Sequence, residues 1–345
     1  MKVSIITINY NSSAYTIKLI ESILKNISNT ILYEIIVTDN ASERDDYDYL
    51  ILNIPSDPRI KIFRNNINTG FSGGNMDGYN RSTGEYLLFI NNDCECLNDV
   101  LKPLIKYMED NDNAGLLTGK VRGLDGKYTG THKLFPCLSR SLLGNEFTRS
   151  ISKNKFVSPK VKITSPTKAQ VVTGAFMFFK RSLFEEIKGF DTRFFLDCEE
   201  EDISKRVWDY GKEVYVLPEP EIIHEHGGSK KENDVGLRNE FYISYKKLMF
   251  KHYSKPYSIV MCILMSLKIF IHSSEKTRFK RRIERDITER GRTSSSVHKQ
   301  YIDTVYPMHQ KFIEPTRSFA DIEISGVFQN LYEDSMFTNH FLTVL

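Results

Sequence analysis

Three short polar clusters stand where apolar runs stop: Thr7-Ile8-Asn9-Tyr10-Asn11, Asp39-Asn40-Ala41-Ser42 and Asn91-Asn92-Asp93. An aromatic ring (Tyr10) and a carboxylate (Asp39) suit a pyrimidine base, the ring stacking and the carboxylate accepting a base N–H. Asn91 and Asp93 fall on one side of an extended chain, where their oxygens would hold a hard divalent cation. The same residue types also make turns and helix caps, but three clusters at successive strand ends exceed what turns require. Farther on, four consecutive acids, Glu199 to Asp202, precede a helical pattern. Acids at a helix N-terminus partner its dipole. Repulsion among four of them would also raise one carboxyl toward the working range of a general base. His224 and His226 alternate in an extended segment, as metal ligands or phosphate donors.

These groups need strands to aim them. "YLLFI", Tyr86 to Ile90, fits a parallel strand covered on both faces, and ligands sit beyond the carboxyl ends of such strands. "VSIITINY" reads as a first strand and "SSAYTIKLIESILKN" as an amphipathic helix capped by Ser12 or Ser13. "YEIIVTDNAS" and "RIKIFRN" supply two more strands. They are followed by the Gly-rich "NTGFSGGNMDGYN", whose glycines would let backbone approach a sugar or phosphate, and then a helix. This βαβ alternation predicts a nucleotide-binding type of α/β domain with a parallel sheet. Gly123 to Gln170 reads as a long irregular insertion over the sheet, after which "VVTGAFMFFKRSLFEEIKGFD" restores a strand and a helix.

Bulk properties narrow the classes. The 345 residues, 40% hydrophobic and 26% charged, predict two units or one large domain with an appendage. Lys246 to Arg292 holds 13 Lys/Arg against 4 Asp/Glu, about +9, leaving the rest near −6. Such a stretch suggests an anionic partner surface. Five cysteines without a CxxC pair indicate neither a disulfide framework nor a zinc site. They read as reduced structural thiols, with Cys94 and Cys96 as soft metal ligands the alternative. No GxxxxGK[ST] phosphate loop occurs. The N-terminus turns polar too soon for a signal peptide, so the cytoplasm is the expected compartment. From Asn239 the chain is helical, apolar and basic, but Tyr257 to Leu267 falls short of the ~20 residues of a membrane span. Two readings stand for it: a helix in the membrane interface, or one packed on the main domain.

The stretches "VSIITINYN", "EIIVTDNAS", "NTGFSGGNMDGYN", "LLFINNDCE", "VTGAFMFFKRSLFEEIKGFD" and "IIHEHGGS" follow in order from Val3 to about Ser229. Together they resemble family 2 glycosyltransferases, most closely the rhamnosyltransferase-like members. The resemblance implies a GT-A fold: α/β, Rossmann-like, with a mostly parallel central sheet, here followed by a C-terminal helical extension. It assigns the donor side to Thr7, Asn9, Tyr10, Asp39, Asn40, Asn68, Gly70, Phe71, Asn75, Asn91 and Asn92, with Asp39 on the base. Asn91-Asn92-Asp93 becomes a variant DxD motif gripping Mg2+ or Mn2+. Asp93 and His224 are then the metal residues, and the missing first Asp implies modest metal affinity. The acceptor side falls to Gly174 and Asp202, the latter with a structural reading beside it. Glu200 stands where the family has its basic Asp, which leaves the catalytic base between Glu199 and Glu200.

A second resemblance covers Arg281 to Gly326, which is similar to the C-terminal part of uridine kinases without their phosphate loop or catalytic core. It makes Arg282, Arg285, Arg290 and Arg292 candidates for an anion or nucleotide contact; packing or oligomerisation is the other reading. The expected organisation is 1–235 glycosyltransferase domain, 236–275 basic apolar helical segment and 276–345 kinase-like fragment. The expected activity is metal-dependent, inverting hexosyl transfer, with rhamnose in view, from a dTDP- or UDP-sugar to a surface polysaccharide or polyprenyl-linked glycan. It would take place in the cytoplasm, peripherally on an anionic membrane surface, with no nucleic-acid partner. The rival readings are a nucleotide kinase-like protein and a non-catalytic nucleotide- or carbohydrate-binding protein.

Overall fold

The computed structural model describes residues 2–152, 156–159, 161–225, 235–266, 269–272, 274–288, 290–319 and 322–325. The chain divides into two compact units, Met1–Cys262 and Ile263–Leu345. The first opens with β1 (Lys2–Asn9), α1 (Ser13–Asn26), β2 (Leu32–Asp39), α2 (Arg44–Asn53), β3 (Ile60–Arg64), α3 (Gly70–Asn80) and β4 (Tyr86–Ile90). Next come β5 (Cys94–Cys96), α4 (Leu101–Asp110), β6 (Ala114–Arg122), β7 (His132–Lys133), α5 (Leu138–Ile151), β8 (Thr167–Lys168) and β9 (Val171–Val172). It closes with β10 (Phe176–Lys180), α6 (Arg181–Glu186), α7 (Glu199–Asp209), β11 (Glu213–His224) and α8 (Val235–His252). α9 (Lys255–Ser266) runs across the division.

The sheet has nine strands in the order β3-β2-β1-β4-β10-β6-β11-β5, with β8 also paired to β11. β1 to β4, β6 and β11 share one direction; β5, β8 and β10 oppose them. Alternation along the strands divides the core. Ile5, Ile35, Leu88 and Ile90 face one side with Ile20 and Ile23 of α1 and Leu104 and Met108 of α4. Ile6, Ile36, Leu87 and Phe89 face the other, with Phe184 of α6 and Ile203 and Val207 of α7. Every residue of β4 is therefore buried, as its unbroken apolar run requires.

The Gly-rich segment is itself the helix α3, not a loop before one. Its glycines let the helix lie close on the sheet. A Cβ on Gly74 would stand 2.9 Å from Ile8 Cδ1, and one on Gly78 would stand 2.5 Å from Ile6 Cγ2. Gly70, at φ +72°, makes the tight entry, where a Cβ would fall 2.2 Å from the carbonyl oxygen of Phe195. The 123–170 region is less irregular than expected: it holds β7, β8 and α5, the last broken at Gly144 (φ 84°, ψ 175°). β7 pairs antiparallel with β9, setting Lys133 opposite Val171.

α8 and α9 contribute to the first unit's interior: Tyr245, Leu248, Met249 and Met261 are buried. Lys247 donates to the carbonyl of Arg193 and Ser244 to that of Leu196. This is the packed arrangement for α8. Among the described residues, no helix is long and apolar enough to cross a membrane.

The second unit contains α10 (Glu275–Thr288), α11 (Ser294–Gln300) and a parallel pair, β12 (Ile269–His272) with β13 (Ile322–Ser325). Asp286, fully buried on α10, gathers Arg285 at 2.8 Å, Arg290 and Arg292 at 3.5 Å and Arg282 at 3.6 Å. Its carboxyl is held low first by the Arg285 hydrogen bond and then by the other guanidinium charges, against the pull of burial. The four arginines expected to meet an anion thus already share an internal one. Beside them, Arg278, Arg281, Arg282 and Arg285 line a cavity of about 370 Å³ with Tyr301 and His309.

Gly78→Ala tests the role given to the α3 glycines. Alanine favours a helix interior by about 1 kcal/mol, but overpacking costs about 1–3 kcal/mol, so urea unfolding should show a net loss of stability. Gly130→Ala, whose nearest neighbour would be Pro159 Cβ at 3.7 Å, should change little.

Candidate active site

The ends of β1 and β2 meet in register, Asn9 opposite Asp39, and both side chains are fully buried. Asn9 Nδ2 donates to Asp39 Oδ1 at 2.9 Å, and Asn9 Oδ1 accepts from Thr16 Oγ1 at 2.7 Å. The second Asp39 oxygen accepts from the Ser42 amide at 3.3 Å and lies 3.4 Å from Arg64 Nε. Asp39 is therefore held by the protein on both oxygens, and Asn9 ties β1 to β2 and α1. The cap of α1 comes from elsewhere than expected. Neither serine side chain caps it; Asp46 of α2 accepts from the Ser13 amide at 3.0 Å and from Ser13 Oγ at 2.6 Å. Burial would raise the Asp46 carboxyl, but these bonds hold it below its usual range. Tyr10 remains 39% exposed and open to stacking. Thr7 is buried, its hydroxyl without a hydrogen-bond partner among the described residues.

Asn40 organises the loop into α3. Its Nδ2 donates to Asn68 Oδ1 at 2.8 Å and Gly70 O at 3.1 Å, while its Oδ1 accepts from the Thr69 amide at 3.1 Å. Asn75 donates to Phe71 O at 3.1 Å, and the Phe71 amide donates to Phe195 O at 2.7 Å. Asn40, Asn68 and Asn75 thus shape this loop through backbone contacts and leave Phe71 and Gly70 at its tip.

β4 ends without Gly or Pro because Asn91 to Cys94 forms a turn closed by the Cys94 amide on Asn91 O at 3.1 Å. Asn92 is drawn inward, donating to Ser12 Oγ at 2.7 Å and Thr16 Oγ1 at 2.9 Å. The turn sends the chain into β5, which pairs antiparallel with the end of β11 so that His224 faces Cys94. That pairing brings His224 Nε2 to 3.1 Å from Asp93 Oδ1. Donor atoms of Asp93, Cys94 and His224 lie within 4.8 Å of one another. The Cys94 thiol is pushed well up by burial and by the Asp93 charge, and it points to Ala175 O at 3.7 Å. A protonated thiol is a poor ligand for Mg2+ or Mn2+, whereas a carboxylate and an imidazole fit Mn2+ well. The hard pair is Asp93 and His224. Glu225 adds a carboxylate at this rim: its amide donates to Asp93 O at 3.1 Å, and it raises the Tyr15 phenol ahead of Asp93. Glu225 sits inside the "IIHEH" motif without having been singled out; His226 lies outside the described residues.

The four acids open α7, entered through two residues in left-handed backbone, Asp197 and Cys198, both at φ 67°. Such strain in non-glycine residues costs about 1–3 kcal/mol each and gathers at functional sites. A Cβ on Gly174 would lie 3.6 Å from the Phe71 ring, 3.9 Å from Glu199 Oε1 and 3.9 Å from Glu200 Cβ. The next residue, Ala175, accepts from the Asn91 amide at 3.0 Å. The glycine therefore joins the α3 loop, the Asn91–Cys94 turn and the acids. Burial first, then the charges of Glu200, Glu201 and Asp197, push the Glu199 carboxyl well up. Burial and Glu200 raise Glu201 to about 6, with Lys133 opposing. Lys133 was not among the expected site residues. Its Nζ reaches Glu200 Oε1 at 2.8 Å and Glu201 Oε1 at 2.5 Å. Only the pairing of β7 with β9 reveals it; its sequence surroundings carry no signal.

Asp202 departs from its acceptor assignment. It is 1% exposed and bonds Arg206 Nη2 at 2.6 Å, His252 Nε2 at 2.7 Å and Lys251 Nζ at 2.6 Å. Burial would raise its carboxyl, but these partners together bring it below the usual range. Its charge is spent joining α7 to α8.

Comparison with known proteins gives the family and the fold. Residues 4–188 match the model of glycosyl transferase family 2, so the chain belongs to that family. A mannosyltransferase from Pyrobaculum calidifontis, solved with GDP-Man and Mn2+, shares the fold at TM-score 0.50 and 15% identity, over 76% of this chain and 69% of that one. The architecture is the GT-A fold with a helical C-terminal region. Residues 250–333 match the phosphoribulokinase / uridine kinase family. Uridine kinases of Bacillus cytotoxicus (44% identical over 85 residues, 25% of this chain and 40% of the relative) and Bacillus anthracis (49% over 79 residues, 23% and 37%) align there. The chain thus spans about 40% of the length of these curated relatives.

Asp202→Asn should lower stability by about 3–5 kcal/mol, because it strands buried cations. Thermal unfolding would register this, whereas a residue serving only the acceptor would change turnover alone. Glu201 has its own pH signature. Its folded carboxyl is raised, so the stabilisation is complete below its unfolded value of about 4.3 and is lost as pH rises through about 6. Wild-type stability should therefore fall across that window relative to Glu201→Gln.

Proposed function

We propose that this chain is an inverting glycosyltransferase that moves a sugar, rhamnose among the candidates, from a dTDP- or UDP-sugar to a surface polysaccharide or lipid-linked glycan. The observation that carries it is the junction at Gly174, where the acids of α7, Phe71 and the turn bearing Asp93 come together. Tyr10 would stack on the base, and Asp39 would accept its N–H by giving up one protein donor. Gly70 and Phe71 would cradle the sugar diphosphate. Asp93 and His224 would hold Mg2+ or Mn2+, which when bound supplies the positive charge that stabilises a departing diphosphate.

The acceptor hydroxyl enters beside Gly174, where the absence of a side chain leaves room. Glu200 takes its proton as the sugar–oxygen bond forms and the anomeric carbon–phosphate oxygen bond breaks. The base must be ionised before the reaction, which favours the Lys133-bridged Glu200 over the buried Glu199. The nucleoside diphosphate leaves, and the anomeric centre inverts in this single displacement. The basic Lys246–Arg292 stretch supports peripheral attachment to an anionic membrane in the cytoplasm. Its match to uridine kinases favours a second reading, a nucleotide-phosphate site in the Ile263–Leu345 unit.

Calorimetry with UDP, dTDP, GDP and ATP, with and without Mn2+, tests the proposal. Pyrimidine diphosphate should bind in a metal-dependent way, and Asp93→Ala should weaken it at least about tenfold, a loss of ~1.4 kcal/mol. Glu200→Gln should keep that binding and lose sugar transfer by about 10²–10⁴-fold. Binding by ATP alone, with ATP-dependent phosphorylation of uridine, would support the second reading instead.

A further inference from the structure

The geometry points to Lys133, delivered by the insertion between β6 and β10, as a positioning residue that keeps Glu200 ionised and aimed at the acceptor side of Gly174. The inference rests on Glu200 being the base. Lys133 Nζ is the positive group closing on Glu200, at 2.8 Å, and on Glu201, at 2.5 Å. Around it stand Glu199, Glu200 and Glu201 of α7, Asp197 and Cys198 before the helix, and Tyr253 beyond α8, whose phenol also senses Glu201. Three adjacent carboxylates in a buried setting cannot all stay charged unaided. Burial pushes the Glu199 carboxyl well up, and without a cation Glu200 and Glu201 would have to share a proton between them.

The strand carrying Lys133 is itself fixed. Thr173, next to Gly174, donates its amide to Thr131 O at 3.0 Å, and buried His132 bonds Val157 O through Nε2 at 2.8 Å. Burial holds the His132 imidazole down, in its neutral form, so the cation of the β7 pair is Lys133. Gln170 accepts from the Phe135 amide at 2.8 Å on one side, and its carbonyl accepts from Trp208 Nε1 of α7 at 3.1 Å on the other. The insertion is thereby registered against the acid helix, which fixes the backbone from which Lys133 reaches the two glutamates. The same insertion that supplies the charge borders the space beside Gly174. Ordering of the insertion and ionisation of the base are coupled through one side chain.

The test uses the full chain with Mn2+ and follows UDP or dTDP released from a panel of UDP- and dTDP-sugars across pH, with an infrared titration of the carboxyl groups. Lys133→Met should move the acid limb of turnover upward by about one pH unit, a tenfold loss on that limb. It should also add a protonated carboxyl at neutral pH and leave donor KM within about twofold. Lys133→Arg should restore the limb. If Lys133→Met does not fold, Lys133→Gln carries the same comparison. An unmoved limb and carboxyl titration would overturn the inference, as would an arginine variant no better than methionine. Retained turnover in Glu200→Gln would instead defeat the choice of base, while the infrared titration would still decide what Lys133 does to the cluster.

Discussion

Both faces of the central sheet are covered, and that constraint decides where chemistry can occur. Apolar residues of β1, β2 and β4 point into one of two layers, and polar ones within the strands, such as Ser4 and Glu34, are buried and bonded to each other. The polar side chains of the candidate site are carried where strands stop. There they must first satisfy one another, as Asn9, Asp39 and Asp46 do, before a ligand can exchange into the network. The site is thus a ledge along the ends of β1, β2 and β4, extended by a turn that folds β5 back onto β11. Without that return pairing, Asp93 and His224, far apart in the chain, would not meet.

The acids at the head of α7 add a different kind of tension. A helix N-terminus favours negative charge, but by only about 0.3–1 kcal/mol per group at exposed positions, which does not offset burying several carboxylates together. The structure divides the load. Asp202 points away into the cations of α7 and α8, Glu200 and Glu201 share Lys133, and the Glu199 carboxyl is pushed well up by burial. Two left-handed residues in succession force the helix to begin abruptly at Glu199. The strain and repulsion are tolerated because α8, through Lys251 and His252, clamps the helix from outside.

How much of this could be read from the chain follows from the range of each interaction. Apolar runs such as "YLLFI" announce buried strands because burial acts on each residue separately, and the polar clusters at their ends were visible for the same reason. The α3 glycines misled because helix propensity disfavours them, whereas contact with Ile6 and Ile8 demands them; tertiary packing overrode a local rule. The reversed direction of β10 was hidden, since an apolar strand reads alike in either sense. Lys133 was hidden by its setting. A single lysine in an irregular segment carries no periodic signal, and its partners lie nearly seventy residues away. Asp202 carried a structural reading beside its acceptor one, and the positions of Arg206, Lys251 and His252 give that reading its partners.

The metal ledge illustrates how one substitution reshapes the logic of a site. With Asn91 in the first position, the pair offers one carboxylate and one imidazole, and Asn92 is turned inward onto α1. One negative charge from two protein ligands would leave a divalent cation under-neutralised, so the protein alone would hold it weakly. A nucleoside diphosphate would bring the missing oxygens and charge, so cation and donor binding would reinforce each other by linkage. Glu225, at the same rim, can adjust that balance, since its backbone is already hydrogen-bonded to Asp93.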